Sequence, residues 1–372
     1  MTCYDSSMVR RYLPKSVEEL VRWYERYVSP FSLLVGFSID VVASQVLALE
    51  AYSIILMAYL ILASFGILFL HALDTRRIHL GPLAGLVPFV PLLIQFAFGG
   101  LYSGFVLLYS KSASFAFSWV FVVLLAALLL GNERFRRLYT TFPVQVGILY
   151  FALFSFSIFY VPVALTTVSA WLFLVSGAVS VVIIAGYLLL ARIIIPTRVK
   201  ETIRPTIKIV AGVYVLIHVL YIVNAIPPLP LALRDAGVFH SVKRVGSDYE
   251  VRFEPRKWYE VYLRYQPVFT RKEGEPLYVY TAVYAPTGVS TGLKHEWQFY
   301  ESSREEWVTR DTISFPISGG RAAGYRGYSV MRSAEDGEWR VNVLTEYGKL
   351  IGRVAFTVAT TQGDIYTETA IR

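Results

Sequence analysis

Cysteine is almost missing from this chain: Cys3 is the single one among 372 residues. No internal disulfide can form, and no paired-cysteine metal site can be built. The five histidines, at 71, 79, 218, 240 and 295, are scattered without zinc-ligand spacing. There is no Gly-x-Ser-x-Gly elbow, Walker loop or dinucleotide fingerprint. The acids after residue 230 do not stand out as a glycosidase pair, and no transporter-type repeat is evident. These gaps argue against familiar soluble enzyme chemistry, and neither a metal nor a cofactor is expected. A membrane transferase with dispersed acids would pass the same scan. The first 30 residues lack the apolar core and small-residue site of a leader peptide, so no cleavage is expected.

Charge is scarce as well. Charged residues make up 17% of the chain against 55% hydrophobic ones, and the formal net charge is +8. Mean hydropathy is +0.50, the balance of a membrane protein. Between about Phe31 and Ile226 the apolar residues form runs near the roughly 20 residues that a bilayer crossing needs. Seven spans are expected, near 31–49, 51–72, 82–109, 113–130, 143–162, 166–191 and 207–226. Pro88, Pro91 and the pair Gly99-Gly100 predict a kink or tilt in the third. The repeats Gly81-x-x-x-Gly85 and Gly100-x-x-x-Gly104 have the spacing of close helix contacts. Residues 1–229 carry 16 Lys/Arg against 9 Asp/Glu, and residues 230–372 carry 19 against 18. The positive excess therefore flanks the spans, which favours the lipid bilayer over nucleic acid as a partner.

Those basic residues alternate along the chain. Five precede the first span: Arg10, Arg11, Lys15, Arg22 and Arg26. Arg76 and Arg77 follow the second, and Arg134, Arg136 and Arg137 follow the fourth. Arg192, Arg198, Lys200, Arg204 and Lys208 follow the sixth, while the alternate loops hold only Lys111. Basic loops stay in the cytoplasm, so the N-terminus is expected inside and, after an odd number of spans, the C-terminus outside. Within the leading segment 1–30, "SVEELVRWYERYV" reads as an amphipathic helix opened by the capping pair Ser16 and Glu19. It would lie on lipid headgroups through Trp23 and Tyr27, or pack on the bundle.

A proline-rich linker, 227–237, closes the membrane region 31–226, and the period of the pattern then changes. "EPLYVYTAVYAP" and "GLKHEWQFYE" read as strands between turn residues. In "EWRVNVLTEYGKLIGRVAFTV", Trp339, Val341 and Val343 share one strand face. After the turn "EYGK", Leu350, Val354, Phe356 and Val358 share a face of the returning strand. The expectation is a polytopic α-helical membrane bundle followed, over 238–372, by an all-β, antiparallel sandwich-like domain.

Particular residues here carry a resemblance. They are His295-x-Trp297, Phe315 through Gly319-Gly320-Arg321, Gly324-Tyr325-Arg326 and Tyr328-Ser329. They continue as Gly337-x-Trp339-Arg340-Val341-x-Val343, Gly348 and Gly352-Arg353-x-x-Phe356. In order and spacing, over roughly 275–360, these resemble the bacterial domain of unknown function 2914. One departure is Tyr325, where members carry tryptophan. The membrane region resembles domain of unknown function 5924. The resemblance implies an envelope protein of a Gram-negative bacterium and brings no activity.

The glycine-rich "ISGGRAAGYRGYS" within that stretch is the first candidate surface. Arg321 and Arg326 with Tyr325 and Tyr328, beside Trp297, can offer forked donors and stacking faces to a glycan, a phosphate or a protein. The plainer reading is that the glycines shape a tight connection and the arginines pair with Glu296, Glu305 or Glu306. His295 shares a face with Leu293, Trp297 and Phe299, so a hydrogen-bonded core histidine is expected ahead of a ligand.

A second candidate lies at membrane depth. Asp40, Gln95 and His218 fall near the middle of the first, third and seventh spans. An Asp40–His218 pair with Gln95 would relay a proton, hold a cation or substrate head group, or serve as a structural clasp. The leading reading is an inner-membrane anchor for an outside domain that binds an envelope glycan, lipid head group or protein. A transporter or channel using the midplane cluster, and a lipid- or glycan-modifying enzyme, are the alternatives. Oligomeric state is not fixed by any of these features.

Overall fold

The computed structural model describes residues 37–42, 49–75, 77, 87, 89–112, 119–134, 141–228, 230–255, 268–320 and 324–372. The amphipathic segment before the first span, the pair Gly81/Gly85, Pro88 and Arg321 lie outside the described residues. Two compact units divide the chain. The first takes Met1–Leu108, Val120–Tyr160 and Leu174–Ile222, and the second takes Tyr109–Trp119, Val161–Phe173 and Val223–Arg372.

The first unit is helical. Residues 37–42 are helical, followed by α1 (Leu49–Asp74), α2 (Phe89–Ser112), α3 (Trp119–Arg134), α4 (Phe142–Ala164), α5 (Ala170–Ile194) and α6 (Pro196–Ile222). Helix therefore stands at each expected span. All but α3 are long and apolar enough to cross a membrane, and α3 is a shorter apolar helix. Helices suit these runs because every backbone donor and acceptor is satisfied within the segment, which a lipid environment demands.

Two local expectations change. Pro91 sits in the first turn of α2, where a missing N–H has no helical partner to lose, so that proline opens the helix. Gly100 and Gly104 work as a packing face. A Cβ on Gly100 would lie 2.5 Å from the Tyr59 ring, and one on Gly104 would lie 2.6 Å from Leu56 and 2.9 Å from the Tyr52 hydroxyl. The side chains of α1 thus enter a groove that only glycine leaves open, as the small-x-x-x-small spacing requires. The seventh expected span also begins earlier, at Pro196. Arg198, Lys200, Arg204 and Lys208, expected in a loop, ride on the first turns of α6. Pro196 is suited to the opening position of that helix, and Arg198 reaches Asp74 at 3.4 Å.

The second unit is built mainly from strands: β1 (Ala232–Phe239), β2 (Ser241–Val245), β3 (Asp248–Phe253), β4 (Val268–Arg271), β5 (Leu277–Tyr284), β6 (Ser290–Glu301), β7 (Glu306–Ser318), β8 (Tyr325–Met331), β9 (Gly337–Thr345), β10 (Leu350–Thr360) and β11 (Glu368–Ile371). They form three sheets, ordered β1-β5-β8, β4-β10-β9-β6-β7 and β11-β3-β2. All pairs are antiparallel except β10 with β4. Strand β1 begins inside the stretch expected to be linker. The β9–β10 hairpin pairs Val341 with Val354 and Trp339 with Phe356, with an irregularity between Leu350 and Gly352.

One hydrophobic cluster joins the first two sheets. Leu277, Val279 and Val283 of β5 meet Leu293 and Trp297 of β6, Trp339, Val341 and Val343 of β9, and Val354, Phe356 and Val358 of β10. The opposite face of β5, through Tyr280 and Ala282, shares a second cluster with Phe239, Val242 and Val251. Strand β5 is therefore covered on both faces, which explains why "LYVYTAVY" reads as an unbroken run of β-formers.

Substituting Gly104→Leu should force Tyr52 and Leu56 out of their groove and cost about 1–3 kcal/mol. Reversible unfolding of the full chain in mixed micelles measures this, with Gly212→Leu, at a position with open space, as the near-neutral comparison.

Candidate functional site

The glycine-rich connection into β8 is built for closeness. Gly319 donates its N–H to Val289 at 2.7 Å, and Gly320 donates to Ala285 at 3.1 Å. A Cβ on Gly319 would overlap the Pro286 carbonyl, and Gly320 and Gly324 hold φ of +100° and +89°, which favours glycine. Beyond them the candidate residues diverge. Tyr325 packs against the main core. Arg326 donates to the Asp248 carboxylate and, at 3.3 Å, to the Ser247 carbonyl. The expected partners Glu296, Glu305 and Glu306 are replaced by Asp248. That bond holds the Asp248 carboxyl below its usual range and raises the guanidinium pKa of Arg326. Tyr328 is 40% exposed, with its ring 6.0 Å from Tyr249 and 6.1 Å from Tyr278. Trp297 belongs inside: it is fully buried in the core, so it lines no surface. The reason is strand alternation, which gives Trp297 the inward face that Leu293 and His295 share.

His295 is the hub of a buried polar network between two sheets. Its Nε2 lies 2.9 Å from the Thr281 hydroxyl of β5, and its Nδ1 lies 2.8 Å from the Ser329 hydroxyl of β8. The Trp297 indole N–H donates to the same Ser329 oxygen at 3.0 Å. Burial pushes the His295 pKa down to about 3, so the ring is neutral near pH 7. The second buried histidine behaves oppositely. His240 is within 2.9 Å of Glu275 and 3.6 Å of Glu254, its side chain 1% exposed. Burial alone would lower its pKa, but hydrogen bonds and charge from Glu254 and Glu275 prevail and raise it.

The face of β6 and β9 turned away from the core carries polar chemistry that the sequence reading did not assign. The Arg340 Nε donates to Gln298 at 2.6 Å, and its guanidinium lies 4.1 Å above the Trp307 ring. Asn342 donates to Glu296 at 2.8 Å and to Gln298 at 3.1 Å, and accepts from the Arg353 Nε at 2.7 Å. Period-two alternation gives the signal. Glu296, Gln298, Arg340, Asn342 and Arg353 each stand one residue from a core position.

In the helical unit, Asp40 lies beside Ser103 of α2 and within electrostatic reach of Tyr52 and Tyr59 of α1. Ser103 is placed to hydrogen-bond Asp40, and among the described residues the buried Tyr52 hydroxyl has no hydrogen-bond partner. Gln95 is half-buried on α2, about two turns before Ser103. His218 has other neighbours: its Nδ1 is 2.9 Å from the Tyr214 carbonyl. Its ring lies 4.1 Å from that of Tyr214 and 5.7 Å from Phe154 of α4. A site missed from sequence joins His71 to Gln145 at 2.9 Å, with Asp74 at 3.8 Å. Among the described residues no group of His, Cys, Asp and Glu is arranged to hold a metal ion.

Comparison with known proteins adds one family. Residues 290–358 match a family described as "Protein of unknown function (DUF2914)", a segment that runs from β6 into β10 and contains the whole polar face just described. No curated protein matches the chain. Among solved structures, the Pseudomonas fluorescens alkylpurine DNA glycosylase AlkC, bound to DNA containing an abasic site analog, aligns at 10% identity. The alignment covers 76% of this chain and 82% of that one with a TM-score of 0.18, too low to carry any argument.

The opposite histidine shifts predict a stability optimum near pH 6.5, the ordinary histidine value. Below it the unfolded chain protonates residue 295 while the folded one does not, so stability falls toward pH 3, by up to about 1.4 kcal/mol per pH unit. His240 contributes fully below pH 6.5, and that contribution is lost as pH rises through its raised folded value. Hydrogen exchange of β6 and β9 peptides from pH 5 to 8, extrapolated for intrinsic rates, should show the optimum. His295→Gln should flatten the acid limb and His240→Gln the alkaline one.

Proposed function

We propose that this is a membrane-anchored binding protein. Its N-terminus faces the cytoplasm, and its strand-rich unit, sandwich-like in the packing of the β1-β5-β8 sheet on the five-stranded one, faces an envelope component across the inner membrane of a bacterium. The resemblance of the membrane region to domain of unknown function 5924 belongs to the same reading. The observation that carries it is the match between charge and grouping. Segments 109–119 and 161–173 group with the strand-rich unit, and they contain one basic residue, Lys111. The basic stretch 192–208 groups with the helical unit. Such an asymmetry orients membrane proteins.

On that outer unit the rings of Tyr249 and Tyr278 flank Tyr328, and Tyr249 lies within electrostatic reach of Arg326. Amphipathic rings beside a fixed guanidinium suit a glycan, a lipid head group or a protein. Protease added to intact spheroplasts should cut the strand-rich unit and spare the N-terminus. Purified full chain should bind isolated cell-wall sacculi or lipopolysaccharide, and Tyr328→Ala should weaken that binding about tenfold. Cleavage of the N-terminus alone, or unchanged binding by a folded Tyr328→Ala protein, defeats the reading.

A second reading has its own observation. Asp40, beside Ser103 and within electrostatic reach of the buried Tyr52 hydroxyl, forms a polar nest at membrane depth, where ionisable groups mark ion or proton paths. Reconstituted protein should then pass protons or cations into dye-loaded liposomes, and Asp40→Asn should abolish the flux without unfolding the helices.

A further inference from the structure

The polar face of the five-stranded sheet carries a cation in an unusual state of preparation. Arg340 is fixed at two points. Its Nε is committed to Gln298, and its plane is stacked at 4.1 Å on Trp307. The Gln298 oxygen that receives it also receives Asn342. Gln298 is itself held, donating to Thr309 at 3.1 Å, and Trp307 is backed by Tyr300 at 5.2 Å. A guanidinium that reaches solvent normally samples many rotamers. Here the ordering cost of a fork-shaped donor has already been met by the sheet.

Its charge, by contrast, is left open. Among the described residues Arg340 makes no ion pair, and Arg353, a second guanidinium, acts on it electrostatically. Glu296 is the carboxylate that both arginines feel, and its oxygen already accepts from Asn342. Lys294 and Glu338 occupy the same face by alternation. Among the described residues the face thus carries the cations Lys294, Arg340 and Arg353 and the carboxylates Glu296 and Glu338. With Nε engaged, the two Nη groups of Arg340 remain to receive a ligand.

We propose that this face is a binding site for an oxyanion, a carboxylate or phosphate, received by the Nη fork of Arg340 with Arg353 adding positive potential. Charge-assisted bonds from a pre-oriented guanidinium are the strong class of hydrogen bond, and Trp307 beside the fork gives an attached ring an apolar edge. The site lies on different strands from the tyrosine surface, so it stands or falls separately from the proposed outward orientation and from Tyr328.

The test uses full chain in phosphatidylcholine nanodiscs, titrated calorimetrically at low ionic strength with inorganic phosphate and with glucuronate. Saturable binding of at least one anion is expected. Arg340→Gln should weaken it about tenfold or more, and Tyr328→Ala should leave it unchanged. Arg340→Lys keeps the charge and removes the fork, and should weaken binding with β6 and β9 hydrogen exchange unaltered, which separates the site from folding. Nanodiscs containing phosphatidylglycerol divide the sources. Competition there assigns the anion to a lipid headgroup, and its absence assigns it to a soluble or glycan-borne group. Failure of the native protein to bind either anion, or equal binding by folded Arg340→Gln and Arg340→Lys proteins, overturns the proposal.

Discussion

Among the described residues the β1-β5-β8 sheet and the five-stranded sheet share no ladder of backbone hydrogen bonds, so their packing rests mainly on side chains. Most of that contact is apolar and indifferent to small sliding. The exception is the bond set from His295 on β6 to Thr281 on β5 and Ser329 on β8, with the Trp297 indole completing it. A buried network of this kind is costly when any member is unpaired. Moving β6 by one residue would turn His295 and Trp297 outward and strand both hydroxyls. Directional bonds inside an otherwise non-directional core therefore set the register on which both outer faces of the unit rest.

That register has consequences in both directions. Because Trp297, Trp339 and Val341 point inward, Glu296, Gln298, Arg340 and Asn342 must point outward, where they assemble into one interlocked layer. Because β5 is covered on both sides, the strands β2, β3 and β11 gain a surface to pack on. His240 is then trapped between Glu254 and Glu275. Two histidines of identical intrinsic chemistry thus take opposite protonation preferences. His295 has neutral hydroxyl partners and loses its charge to burial, whereas His240 has carboxylates close enough to retain it.

Much of this was legible in the amino-acid order. Apolar runs located helix at each expected span, because the length needed to cross lipid leaves a composition signal that no neighbour can erase. The β9–β10 hairpin and the inward place of His295 followed from period-two patterning. The start of α6 is hidden in the sequence because its charge density resembles that of a loop. Arg198, Lys200 and Arg204 suit a helix well, and Pro196 is an acceptable first residue. Partner choice was the other blind spot. Asp248, which binds Arg326, is far away in sequence, and only the pairing of β2, β3 and β11 brings it there. Trp297 shows the same limit: an aromatic residue in a polar motif reads as a contact surface until its strand face is known.

The Arg340 layer marks where alternation says more than motif. A Gly-x-Trp-Arg-Val string draws attention to its glycine and tryptophan, which the core explains fully. The arginine between two inward residues has no such explanation. Holding a half-buried guanidinium flat on the sheet restricts a side chain that carries much rotamer entropy, and Gln298, Trp307, Asn342 and Thr309 are all arranged around that restriction. A surface ion pair would be worth little to stability, and Arg340 makes none among the described residues. Ordering that stabilises the fold so weakly is better understood as preorganisation, in which the sheet supplies geometry and the missing negative charge comes from outside the chain.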